Sequence, residues 1–144
     1  MSDVVKGLRG VLADAIVFYH KMHHYHWHVT GPNFYPLHER FEGLYEKWAD
    51  VVDDTAERIV TLGGQAHFTM AEAIEEAALA EDGTLPPPAT MVANVIADLQ
   101  SQCDRMRQVA GVADDANDRA TSGLLDELIA DIEKRLWMLR SSVA

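Results

Sequence analysis

The chain has 144 residues, a formal net charge of −11, 48% apolar residues and 24% charged ones, a globular composition and not a disordered one. That acidity argues against nucleic-acid binding as the main activity, since phosphate contacts need clustered Lys and Arg, and the first ten residues hold only Lys6 and Arg9 and the end "LWMLRSSVA" only Arg140. No apolar run reaches the ~20 residues of a membrane span, the start has no signal-peptide pattern, and one cysteine excludes an internal disulfide framework, so the expectation is a cytoplasmic protein with one domain over residues 1–144.

Leu8, Leu12, Ala15, Tyr19, Met22, His26 and Val29 step by fours and threes and predict a first amphipathic helix, broken by Gly31 and Pro32. A second runs from about Phe34 to Leu62 on the stripe Phe34, Leu37, Phe41, Leu44, Trp48, Val51, Thr55 and Ile59, and Gly63 with Gly64 stops it. Thr69 followed by Glu72 reads as a capping box that opens a short helix, in a segment ended by Gly83 and Pro86 to Pro88. A third long helix carries Val92, Val95, Ile96, Leu99, Cys103, Met106 and Ala110, which places Cys103 in the core. After "DDAND" a fourth carries Leu125, Leu128, Ile132, Leu136 and Leu139. The roughly 25 residues between the second and third long helices far exceed an antiparallel hairpin and suit a crossover along the bundle. The expected fold class is all-α: a ferritin-like four-helix bundle with a short extra helix in the crossover between helices two and three.

Five of the seven histidines lie in "HHYHWHVTGPNFYPLH", residues 23–38, and a dense set of carboxylates follows. His38 and Glu42 are four apart, as are Asp53 and Glu57, so each pair shares a helix face. Positions 38, 42, 45, 49, 53 and 57 form one row beside the apolar stripe, at the edge of a buried surface, where carboxylates are costly unless paired or bound to metal. A single such pair is most often a solvated face; two on one row point further. His26, on the apolar stripe of the first helix, reads either as a hydrogen-bonded core residue or as a ligand. Glu42 and Glu57 are fifteen residues, roughly 22 Å, apart along one helix, beyond the reach of any single mononuclear or dinuclear site. Either the pairs are unrelated half-sites, or they meet across a two-fold axis between antiparallel second helices of two subunits. In the latter case second-helix residues such as Trp48 would lie at the interface. Two imidazoles with three carboxylates suit iron or zinc better than calcium or magnesium.

The stretch "HWHVTGPNFYPLHERFEGLYEKWADVVDDTAERIVTLGG" resembles the signature of the Dps family, the mini-ferritins named as DNA-binding proteins from starved cells. That pattern runs roughly His-Trp-Asn-Val-x-Gly-x-x-Phe-x-x-Leu-His-x-x-x-Asp and then Asp-x-x-Ala-Glu-Arg. The spacings of twelve from His26 to His38 and nineteen from His38 to Glu57 match it, and "EKRLWMLRS" resembles the family's closing segment. The resemblance implies a ferroxidase: a dodecamer built from two-fold dimers, with His26, His38 and Glu42 of one chain and Asp53 and Glu57 of its neighbour as metal ligands. Fe(II) would be oxidised by hydrogen peroxide or dioxygen, with iron (Fe2+/Fe3+) the metal handled and the ferric product stored in the shell. Trp27 matches the family's tryptophan beside the iron site, which intercepts oxidising equivalents; its other reading is a large core side chain.

Departures from the pattern are His28 where the family has Asn, Glu42 where it has Asp, and Gly123 at a pore position, leaving Asp114, Asp118 and Asp126 as pore candidates. The lysine-rich DNA-binding tail is missing, so DNA binding is not expected. Two other classes stand beside the ferroxidase reading: a DNA-condensing structural protein, and redox-silent zinc or copper sequestration at the same residues. His20, His24 and His28 step by four along another face of the first helix, either as a solvated face or as an additional chelate.

Overall fold

The computed structural model describes residues 1–67 and 69–144. Its five helices are α1 (Asp3–His28), α2 (Phe34–Thr61), α3 (Met70–Glu76), α4 (Pro88–Asp115) and α5 (Arg119–Ser142), and no strand occurs among the described residues. Local chemistry sets the ends. The Ser2 hydroxyl caps α1 by accepting from the Val5 amide at 3.2 Å. Pro88 occupies the first turn of α4, where no amide donor is needed. At the end of α2 Gly63 takes φ +83°, and the amides of Gly64 and Gly63 donate to the carbonyls of Ile59 and Val60, a Schellman motif. The same pair of bonds closes α4, with Asn117 at φ 58° in place of glycine; Asp118 then caps α5 by accepting from the Thr121 amide. Thr69 caps α3 by accepting from the Glu72 amide at 3.1 Å, as the capping box predicts. That helix ends at Glu76, before Gly83, and the chain continues irregularly to the prolines.

The pairing of polar side chains gives the topology. Asp14 meets Arg105, Lys21 meets Asp98, and Tyr25 meets Asn94, so α1 and α4 run antiparallel. The short turn after His28 makes α2 antiparallel to α1, which leaves α2 parallel to α4, and parallel helices require a long crossover. Arg58 near the end of α2 reaches Asp118 and Thr121 at the start of α5, so these two are antiparallel. One core runs through the bundle, with Phe18, Tyr25, Phe41, Trp48, Leu99 and Met106 among its largest buried members. Trp48 belongs to it: the side chain is 1% exposed, packs on Phe18 at 4.8 Å, and donates from Nε1 to Gln102 Oε1 at 2.8 Å. The interface role expected for Trp48 is therefore corrected. Its place on the apolar stripe already assigned it inward. Cys103 is buried, as its stripe predicts.

The crossover is fastened along α1 from one end to the other. Arg9 holds Glu76 at 2.9 Å and the Gln65 carbonyl at 3.1 Å. Asp14, buried, accepts from the amides of Ala78 (2.7 Å) and Leu79 (3.3 Å) with one oxygen and from Arg105 (3.0 Å) with the other. Lys21 donates to the Ala80 carbonyl and pairs with Asp98 at 2.9 Å. Tyr25 donates to Asp82 at 2.6 Å. Burial pushes the Asp98 carboxyl above its ordinary range, partly offset by Lys21, and pushes the Tyr25 phenol well up. Among the described residues no helix is long and apolar enough to cross a membrane.

Candidate metal centre

The centre is built where α1 ends and α2 begins. The turn between them brings His26 and His38, twelve residues apart, ring on ring: the centroids are 3.8 Å apart and the planes inclined by 17°. Each ring is held by the backbone of the other residue. His26 Nδ1 donates to the His38 carbonyl and His38 Nδ1 donates to the His26 carbonyl, both at 2.8 Å. A carbonyl oxygen only accepts, so in the neutral imidazoles both protons sit on Nδ1 and both Nε2 atoms carry the lone pair. A metal-ligating histidine commonly has its second nitrogen committed in this way. The core reading of His26 is met, since it is 8% exposed and hydrogen-bonded, and the ligand reading stays open because Nε2 has no hydrogen-bond partner among the described residues.

Around this pair the polar row of α2 divides in two. His38, Glu42 and Tyr45 are half-buried, at the edge of the core as the sequence row predicts, whereas Ala49, Asp53 and Glu57 are exposed. Tyr45 donates to Glu42 Oε1 at 3.4 Å, stacks on His23 at 3.7 Å and meets His26 edge-on at 5.3 Å. Burial raises the Tyr45 phenol, and the charge of Glu42 adds to the rise. Asp53 and Glu57 lie about 16 Å and about 22 Å along the helix from Glu42, and neither carboxylate has a hydrogen-bond or ion-pair partner among the described residues. Among those residues, no three of His, Cys, Asp or Glu gather at a metal-sized site in one chain. The structure thus brings His26, His38 and Glu42 to one end of α2 and leaves Asp53 and Glu57 towards the other.

Sequence reasoning passed over His23 and gave Tyr45 no role. His23 lies three residues before His26, one turn earlier on the same face, and that spacing was the available signal. Trp27 is 60% exposed, which excludes its core reading in the single chain; its ring lies 5.5 Å from His23. Of the pore candidates, Asp118 is committed as the α5 cap, accepting from the Thr121 amide and hydroxyl and pairing with Arg58 at 3.1 Å. Those hydrogen bonds hold its carboxyl below the usual range. Asp114 and Asp126 are exposed.

A sequence model of the ferritin-like domain matches residues 5–144. The "DNA protection during starvation protein" of Brevibacillus brevis is 39% identical over 130 residues, covering 90% of this chain and 87% of that one. The crystal structure of Dps from Staphylococcus aureus superposes with a TM-score of 0.96 at 32% identity, covering 99% of this chain and 95% of that one. The chain belongs to the Dps family. The expected all-α bundle with an extra helix in its crossover is thereby the Dps fold. A further Dps structure, from Vibrio cholerae O1, is described as a member of a broad superfamily of ferritin-like diiron-carboxylate proteins; it has a TM-score of 0.95 at 26% identity and covers 98% of this chain and 89% of that one.

Proposed function

We propose that this Dps chain is a cytoplasmic ferroxidase that oxidises Fe(II), preferably with hydrogen peroxide, at a centre shared by two chains. The ferric product would be stored inside a dodecameric shell. One observation carries the reading. The clamped His26/His38 pair offers two free Nε2 atoms at one end of α2, while unpartnered Asp53 and Glu57 stand about 22 Å and about 28 Å from His38 along the same helix. An antiparallel two-fold contact between α2 helices would complete two such centres per dimer.

The stacked rings favour one imidazole per ion. An imidazole binds metal in its own plane, and rings whose centroids are 3.8 Å apart with planes inclined by only 17° do not converge on one ion at bonding distance. Two ions side by side, each with its own ring, match the roughly 3.5–4 Å spacing of two-metal sites. Hydrogen peroxide accepts two electrons, so paired Fe(II) ions reduce it completely to water as both become Fe(III). Asp53, Glu57 and Glu42 would balance the charge of the ions, and Tyr45, donating to Glu42, would orient that carboxylate. Consuming peroxide and Fe(II) together also accounts for protection of DNA without contact to it, in keeping with the net charge of −11.

Complementation tests the shared centre. His38→Ala and Glu57→Ala chains, each alone, should lose most peroxide-driven growth of ferric absorbance. When the two are unfolded and reassembled as an equal mixture, half the dimers pair unlike chains, and each of those restores one centre of two. Activity should return to about one quarter of wild type. Mixtures no more active than the separate variants would refute the shared centre.

A further inference from the structure

We infer that α1 carries a second metal site, independent of the ferroxidase centre: a chelate of His24 and His28 for a borderline divalent ion such as Cu(II), Ni(II) or Zn(II). The two residues are four apart on one helix face, and their ring centroids stand 5.0 Å apart with planes at 59°. With metal–nitrogen bonds of about 2.1 Å, an ion lies about 3.2 Å from each ring centre, and a nitrogen–metal–nitrogen angle of 90–110° then requires centroids about 4.5–5.2 Å apart. The observed separation falls inside that range. The parallel stack of His26 and His38 does not converge in this way, so the two histidine pairs on this helix differ in kind.

Hydrogen bonding prepares the pair as well. His24 Nε2 donates to the Thr84 carbonyl at 2.6 Å, so the neutral ring keeps its lone pair on Nδ1. A second ring nitrogen committed to a backbone carbonyl is the usual way in which a ligating histidine is oriented. Thr84 is itself anchored, its amide donating to Asp82 at 2.9 Å, so the support for His24 is rigid. His28 is exposed, and neither of its nitrogens is hydrogen-bonded among the described residues. On its other side His24 lines a cleft of about 290 Å³ with His20, Lys21, Glu81 and Asp82. Asp82 is spent on Thr84 and Tyr25, which leaves Glu81 as the carboxylate adding negative charge nearby. No third protein ligand is preformed among the described residues, so water completes the shell. Two neutral imidazoles with water favour Cu(II) over the other divalent first-row ions, and Fe(II) least among these candidates.

The test is Cu(II) titration of the assembled protein carrying His38→Ala and Glu57→Ala, followed by calorimetry and electron paramagnetic resonance. One Cu(II) per chain is expected, with superhyperfine splitting from two imidazole nitrogens. Adding His28→Ala should weaken binding at least tenfold and reduce the splitting to one nitrogen. Because His28 supports no hydrogen bond of the fold, this variant is not expected to unfold, and circular dichroism checks that. His20→Ala should change affinity less than twofold. Copper binding that is indifferent to His28→Ala, or lost with His20→Ala alone, overturns the site. Neither result bears on the shared ferroxidase centre, whose ligands are already altered in this background.

Discussion

Replacing Asp14 by alanine should loosen the crossover before it unfolds the bundle. The carboxylate is 1% exposed and accepts from three donors: the Ala78 and Leu79 amides and the Arg105 guanidinium. Removing it strands two backbone donors, each costing about 1–3 kcal/mol when buried and unpaired. It also breaks a pair that costs about 3–5 kcal/mol when wholly buried. Arg105 is 30% exposed and regains water, and the Leu79 bond at 3.3 Å is long, so the low end of the range applies. The expected loss is about 3–4 kcal/mol, or a fall in Tm of about 10 °C for a chain of this size. Denaturant melts at fixed protein concentration measure the total, since assembly shifts apparent stability. Hydrogen exchange locates it, with the Ala78 and Leu79 amides expected to quicken more than amides in the middle of α4. Asp14→Asn keeps the oxygen that accepts from the Ala78 and Leu79 amides but gives up the charged pair with Arg105, and should lose about half as much. A loss under about 1 kcal/mol with unchanged exchange at 78 and 79 would refute this role.

Asp82 should make stability depend on acid. Hydrogen bonds from Thr84 and then Tyr25 lower its carboxyl to about 2 in the folded chain, below the unfolded value of 3.8, so its contribution is present above the unfolded value and is lost as pH falls towards 2. Discounted for its partial exposure, that contribution is about 1–2 kcal/mol; Asp82→Asn should be destabilised by this amount at pH 7, and a gap that fails to narrow below pH 4 would contradict the assignment. Cys103, buried and with its thiol raised by that burial, should resist a thiol reagent at pH 8 in the native protein and react fully once unfolded. Rapid stoichiometric labelling of the native state would show that the α4 stripe opens readily.

Much of the fold was legible because its stripes repeat with the helical period and its breaks fall at Gly31, Gly63 and the prolines. Asn117 was harder to read: it performs at the end of α4 what Gly63 performs at the end of α2, yet positive φ is uncommon for a residue with a side chain. The polar line of Asp14, Lys21, Asp98 and Arg105 escaped notice for another reason. Its members are 77 to 91 residues apart in sequence, and singly each resembles a solvated helix residue. At the candidate centre, the spacing of His26 and His38 was visible, but their clamping was not, because the acceptors are backbone carbonyls that carry no residue identity. The separation of Asp53 and Glu57 from Glu42 could be read from helix rise alone.

The reciprocal clamp between His26 and His38 has a bearing on how mutants of this centre are to be interpreted. Each ring is steered by the other residue's main chain, but the two rings also lean on each other face to face. Truncating either side chain removes a wall against which the survivor rests, so a single alanine change would not delete one candidate ligand alone. Defects from the two single changes will overlap instead of summing, and the double change will look little worse than either. In genetic language the pair behaves as one locus.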